Sequence, residues 1–132
     1  MVQFDLWIAY HGSVFVVEWF FSQEGYSQPY EHFMNMPIVQ QRKFLLLIKR
    51  IGDFGKINDI TKFRNEADKI YAFKPQPDRF LSFFTIGKKI IITNAFVNKS
   101  DKLPSSEKDI AIRCMDNYLF RIQEDTYYAK YV

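Results

Sequence analysis

The chain has one cysteine and two histidines in 132 residues, and no lysine or arginine before Arg42. The single Cys114 excludes an internal disulfide, and a chain of this kind is expected in a reducing cytoplasm. His11, His32 and Cys114 stand at unrelated spacings and make no zinc site, so neither a metal nor another cofactor is expected. Two histidines outside the basic region also argue against a paired-histidine ribonuclease, and each reads as structural or surface. No apolar run approaches the roughly 18 residues that span a bilayer. Val14 to Phe21 is broken by Glu18, and Phe44 to Ile48 stops at Lys49, so a soluble protein that does not engage a membrane is expected. A first segment without basic residues offers no export or transit leader. Five glycines and five prolines, scattered, leave no low-complexity tract and no interdomain linker.

What is present is apolar and aromatic. Hydrophobic residues make up 48%, aromatic residues 18% and charged residues 25%, a balance that folds and that suits one domain over residues 1–132. The net charge of +3 is unevenly spread. Residues 1–41 carry four acids and no base, residues 42–102 carry 14 bases and 6 acids, and residues 103–132 carry 4 and 5. The middle segment therefore stands at +8, the charge that a phosphate-facing surface needs. The alternative is an ordinary solvated surface balanced by the acidic N-terminal part.

Val2 to Tyr10 is rich in strand formers and His11-Gly12-Ser13 reads as a turn. Val14 to Phe21 stays open on propensity, strand by its β-branched and aromatic residues or a short buried helix capped by Ser13. Ser22 to Pro29 reads as a loop and Tyr30 to Met36 as a helical turn. After Pro37, Phe44, Leu47, Ile48 and Ile51 share one helical face, and the helix ends near Gly52 to Gly55. Lys56 to Asp68 reads as a basic connection. Strands follow over Lys69 to Lys74, Arg79 to Ile86 and Lys89 to Phe96, the last two joined by Gly87-Lys88 as a type II′ hairpin turn. That turn makes Phe83 face Ile92, Leu81 face Asn94 and Arg79 face Phe96. Lys74, Arg79 and Lys99 then converge at one sheet end. Pro104 at the first helical position, with Glu107 and Asp109 behind it, opens a helix to about Asp125 with Ile110, Cys114, Tyr118 or Leu119, and Ile122 on one face. The tail over residues 126–132 either packs back or stays free.

The helix closing on Asp53-Phe54-Gly55, the stretch Ile70 to Lys74, the strand opening Asp78-Arg79-Phe80 and the segment Phe96-Val97-Asn98-Lys99-Ser100-Asp101-Lys102-Leu103-Pro104 come in an order and spacing that resembles the RelE/HigB superfamily of toxins, above all its phage-derived HigB-like branch. The likeness covers about Phe44 to Leu119. It departs at Asn98 and Lys74, where the family often has Lys and Arg, at Ala72, where it has an acid, and in the longer N-terminal region 1–41. The resemblance implies an α+β fold, an antiparallel-rich twisted sheet packed against N-terminal helices with a C-terminal helix, and it favours a helix at Val14 to Phe21. It also implies an endoribonuclease that cuts mRNA on the ribosome, with a cognate antitoxin of helix-turn-helix type as partner.

A cation cluster can support that chemistry. In-line attack by a ribose 2′-OH needs a base, positive charge for the phosphorane and a donor for the leaving oxygen. Arg79 suits the phosphorane because its planar fork donates two parallel hydrogen bonds. Lys74 and Lys99 would hold the backbone, and one of them would act as base where neighbouring cations favour the neutral amine. Lys62, Arg64 and Lys102 would steer phosphates, and Tyr71, Phe73 and Phe96 would stack bases, against the competing reading that strand aromatics are core. Ser100 has no base placed for it and is set aside. Two other readings are a non-catalytic gyrase-binding toxin like the ParE branch, and an RNA-binding protein that does not cut.

Overall fold

The computed structural model describes residues 7–128, with six strands and three helices among them. The strands are β1 (Ile8–His11), β2 (Val16–Trp19), β3 (Phe63–Asn65), β4 (Tyr71–Phe73), β5 (Asp78–Phe84) and β6 (Lys89–Val97); the helices are α1 (Gln28–Met34), α2 (Ile38–Phe54) and α3 (Ser105–Gln123). One sheet runs in the order β1-β2-β6-β5-β4-β3, antiparallel throughout except for the parallel pair β2 and β6. The architecture is α+β, as expected. The expected strand from Val2 lies outside the described residues as far as residue 6, and the tail beyond residue 128 also lies outside them.

The helices begin and end where their sequence directs. The Ser27 hydroxyl accepts from the Tyr30 N–H and opens α1 with Pro29 in its first turn. Gly55 closes α2 in the left-handed region at φ 85°, which a Cβ disfavours. Phe44, Leu47, Ile48 and Ile51 are the buried face of α2, as their spacing predicts. Phe44 stacks on Phe80 at 3.9 Å and meets Trp19 and Phe73, so one face of the sheet is covered by α1 and α2. On the other face, Phe83 meets Tyr118 of α3 at 5.5 Å. Gly12 and Gly52 bring the β1–β2 loop onto α2: a Cβ on Gly12 would lie 2.2 Å from the Gly52 carbonyl, which accepts from Val14 and Phe15 N–H groups.

Several expectations are corrected. Val14 to Phe21 contains a strand, not the helix that the resemblance favoured. Val16 to Trp19 lie beside Lys89 to Ile92 in parallel register, and the β-branched pair Val16-Val17 suits a pleated position between two neighbours. The basic connection contains β3, a short edge strand whose Arg64 faces Ala72. The α3 core face is Ala111, Met115 and Tyr118, rotated from the expected one, with Ile122 left exposed. Pro104 is the N-cap and not the first helical residue.

The β5–β6 hairpin is correct at one end and shifted at the other. Lys88, not Gly87, holds positive φ, and Thr85 N–H donates to the Lys89 carbonyl across a loop of Ile86, Gly87 and Lys88. A loop closed by a left-handed residue replaces the two-residue turn. Phe83 consequently faces Ile91, not Ile92. The register then shifts between Leu81 and Ser82, because Thr93 is an extra residue in β6, and Leu81 faces Asn94 and Arg79 faces Phe96 as expected. Two one-residue insertions, in the loop and in the strand, cancel before the sheet end that carries Arg79.

Candidate functional site

Strand alternation sends neighbouring side chains to opposite faces, and at the start of β5 it separates two charges. Asp78 turns to the α1/α2 side. There its Oδ2 lies 2.7 Å from His32 Nε2 and its Oδ1 accepts from Gln40 at 3.0 Å. Arg79 turns to the other side, where it is only 3% exposed. Its Nη1 donates to the Gln76 side-chain carbonyl at 2.8 Å and more weakly to the Asp78 carbonyl at 3.2 Å, and its Nη2 points to the Ser100 carbonyl at 3.4 Å. No carboxylate forms an ion pair with it among the described residues. Burial lowers its pKa from the ordinary value while Asp101, Glu66 and Asp78 oppose that at longer range, and a guanidinium stays charged under such conditions.

The segment after β6 is tied to the same place. Asn98 N–H donates to the Pro77 carbonyl at 2.9 Å, and Asn98 and Ser100 together fold the loop by bonding the Lys102 backbone. Lys99 and Lys102 are exposed on this loop, beside the carbonyl that Arg79 reaches. Lys74 is buried at 7% exposure and, with Lys62 and Gln76, lines a cleft of about 580 Å³. Arg79 and the Lys99 loop are thus brought together directly, whereas Lys74 shares a cleft with Gln76, the residue that holds Arg79. Arg64 lies exposed on β3, in line with Ala72 and Leu81.

The three aromatic residues expected to stack bases separate. Phe73 is fully buried and packs on Phe44 and Phe63, so no base can reach it. Tyr71 lies parallel to Phe63 at 5.5 Å on the outer strands, and Phe96 is half-buried opposite Arg79. The alternative that strand aromatics are core holds for Phe73.

Sequence reasoning missed Gln76, Gln40 and the Asp78–His32 pair. Gln40 donates to the Pro75 and Gln76 carbonyls as well as to Asp78, and so fixes the turn from which Gln76 reaches Arg79. Neither amide stands in a motif that marks it in the sequence. His32 is structural, as one of its two expected roles had it. Among the described residues no group of three or more His, Cys, Asp or Glu side chains could hold a metal ion. No helix among them is long and apolar enough to cross a membrane.

A family model described as Phage derived protein Gp49-like (DUF891) matches residues 31–116. The matched stretch runs from α1 into α3 and contains β3 to β6 and every cation described above. No curated protein matches the chain.

Proposed function

We propose that this chain, which belongs to the family of phage-derived Gp49-like proteins, is the toxin of a toxin–antitoxin pair and that it cuts mRNA on the ribosome. The family is one of RelE/HigB-like toxins, and membership implies an antitoxin partner; cleavage and its substrate are proposed from the geometry. The observation that carries it is Arg79, buried at the sheet end without a carboxylate and held by neutral oxygens of Gln76, Asp78 and Ser100. A buried cation of this kind, beside exposed Lys99 and Lys102, favours an incoming anion.

In this reading the substrate phosphate takes the place between Arg79 and the Lys99 loop. The ribose 2′-OH attacks its phosphorus in line, the 5′-oxygen leaves, and Arg79 stabilises the charge on the non-bridging oxygens of the phosphorane. Lys99 neutralises the phosphate from the solvent side. Lys74 or Lys99 takes the 2′-OH proton, and a protonated cation returns one to the leaving oxygen. Expression with and without Arg79→Ala, followed by mapping of mRNA 5′ ends, tests the proposal. New ends that vanish in the variant support it; growth arrest without new ends removes cleavage, and new ends that persist in the variant remove Arg79.

A further inference from the structure

We infer that the cleft between α2 and the β4–β5 connection binds single-stranded RNA beside the cut, taking one unstacked base against Phe54 and Leu46 and its phosphates on Lys43, Arg50 and Lys62. The inference rests on the proposed function for its substrate class. Its evidence lies in a different set of side chains.

The cleft is concave, at about 580 Å³, and its lining combines apolar and cationic side chains. Of its apolar lining, Leu47 and Pro75 are buried, and Leu46 and Phe54 are 68% and 76% exposed. An aromatic ring left so open gains nothing from the core of the fold, whereas a flat exposed ring is a stacking platform for a base. Five cations line the cleft and no carboxylate does. Lys49 is neutralised by Asp53 at 3.0 Å, but Lys43, Arg50, Lys62 and Lys74 form no ion pair among the described residues. On α2 the order Lys43, Leu46, Arg50, Phe54 follows three-and-four spacing, so charge and apolar surface alternate along one exposed stripe. The cleft is also joined to the proposed site. Gln76 lines it, and the same Gln76 holds Arg79 at 2.8 Å. Gln76 is thus the one residue common to the cleft lining and to the Arg79 hydrogen bonds. An acidic peptide would satisfy the charges, but nothing about it would call for the aromatic face or for continuity with Arg79.

Binding of a 2′-O-methyl oligoribonucleotide, which lacks the attacking hydroxyl and so is not cut, measures the cleft by fluorescence anisotropy in the full chain. Phe54→Ala is expected to weaken binding about tenfold, the loss of one base stack. Lys43→Ala with Arg50→Ala is expected to weaken it and to lower the slope of log affinity against log salt by about 1.4. All three side chains are exposed, so the fold is retained, and thermal melting checks this. Arg79→Ala is expected to keep most of the binding while losing cleavage. Unchanged affinity and salt slope in the cleft variants, with cleavage intact, overturns the cleft and leaves the ribonuclease. Cleft-dependent binding by a protein that cuts nothing supports the cleft and overturns the ribonuclease. Tighter binding of poly-glutamate than of RNA, lost in the same variants, assigns the cleft to an acidic protein partner and overturns the inference.

Discussion

Two strands of the sheet bury opposite charges, and the two are treated differently. Glu18 on β2 is 4% exposed and fully answered: Lys89 Nζ lies 3.2 Å from one carboxylate oxygen, and the Tyr128 hydroxyl donates to the other at 2.7 Å. The Tyr118 hydroxyl extends the chain at 2.9 Å, and the Lys89 ammonium sits over the Tyr128 ring. Arg79 on β5 is buried as deeply but meets neutral oxygens only, while the nearest acid in sequence, Asp78, is held by His32 and Gln40 on the opposite face. A paired buried charge spends its field on its partner, whereas one held by neutral acceptors keeps it for a ligand. Arginine suits the second task because its guanidinium is weakly hydrated and tolerates partial burial. The pair at Glu18 therefore reads as a fastening for the tail and the β2–β6 pairing, and Arg79 as a poised site.

The strongest way to break this contrast is to truncate each charge. Arg79→Ala is expected to lower cleavage of a model RNA per folded molecule about 10³-fold, the loss of an oxyanion-type donor, and to cost about 2 kcal/mol in unfolding because the Gln76, Asp78 and Ser100 oxygens lose their donor. Arg79→Lys should recover little of the rate, since a point charge cannot replace the fork. A rate per folded molecule that matched the parent would make Arg79 structural. Glu18→Ala is expected to act on stability alone. It strands Lys89 and should cost about 3 kcal/mol in denaturant unfolding, with cleavage per folded molecule unchanged. Asp78→Asn is a smaller test of whether Asp78 belongs to Arg79. It weakens the bonds to His32 and Gln40, for an expected loss of about 2 kcal/mol, and leaves cleavage within about tenfold of the parent. A rate that rose or fell with the removed carboxylate as strongly as with Arg79→Ala would join the two residues into one pair.

The sequence made half of this contrast legible. Arg79 was found because strand spacing and the meander bring it against Phe96 and the Lys99 loop, and that end of the register survived two compensating insertions at the loop and at Thr93. Local propensity cannot register such insertions, because one extra residue in a loop and one in a strand leave the alternation intact on either side. Glu18 was seen only as a charge interrupting an apolar run. Its partners Lys89 and Tyr128 are distant in sequence, so nothing near Glu18 distinguished a paired strand residue from a short amphipathic helix. Phe73 shows the same limit from the other side, since whether an aromatic strand residue faces a helix or a ligand depends on what packs over it. Gln76 and Gln40 carried no signal at all; uncharged amides become informative only when the turn they fasten is in view.

The smallest expected effect lies in alkaline stability, and it sharpens the contrast by titrating one end and not the other. Burial first, and then the charge of Glu18, raises the Tyr128 hydroxyl above its ordinary pKa, and burial likewise raises Tyr118 and Tyr127. Each is protonated in the fold at a pH where the unfolded chain releases its proton. The fold then binds more protons than the unfolded state, so the contribution is complete below pH ~10 and is lost as pH rises above it. Cys114 acts in the same direction from about pH 9, since burial pushes its thiol up to about 11. Arg79 keeps its charge across this range and contributes no such slope. Melting between pH 8 and 11.5 should therefore show a falling midpoint from about pH 9 to 10 upward, shallower in Tyr128→Phe and unchanged in steepness in Arg79→Ala. An equal slope in Tyr128→Phe would show that the Glu18 end does not hold that proton, and the distinction between a closed pair and an open cation would lose its titratable half.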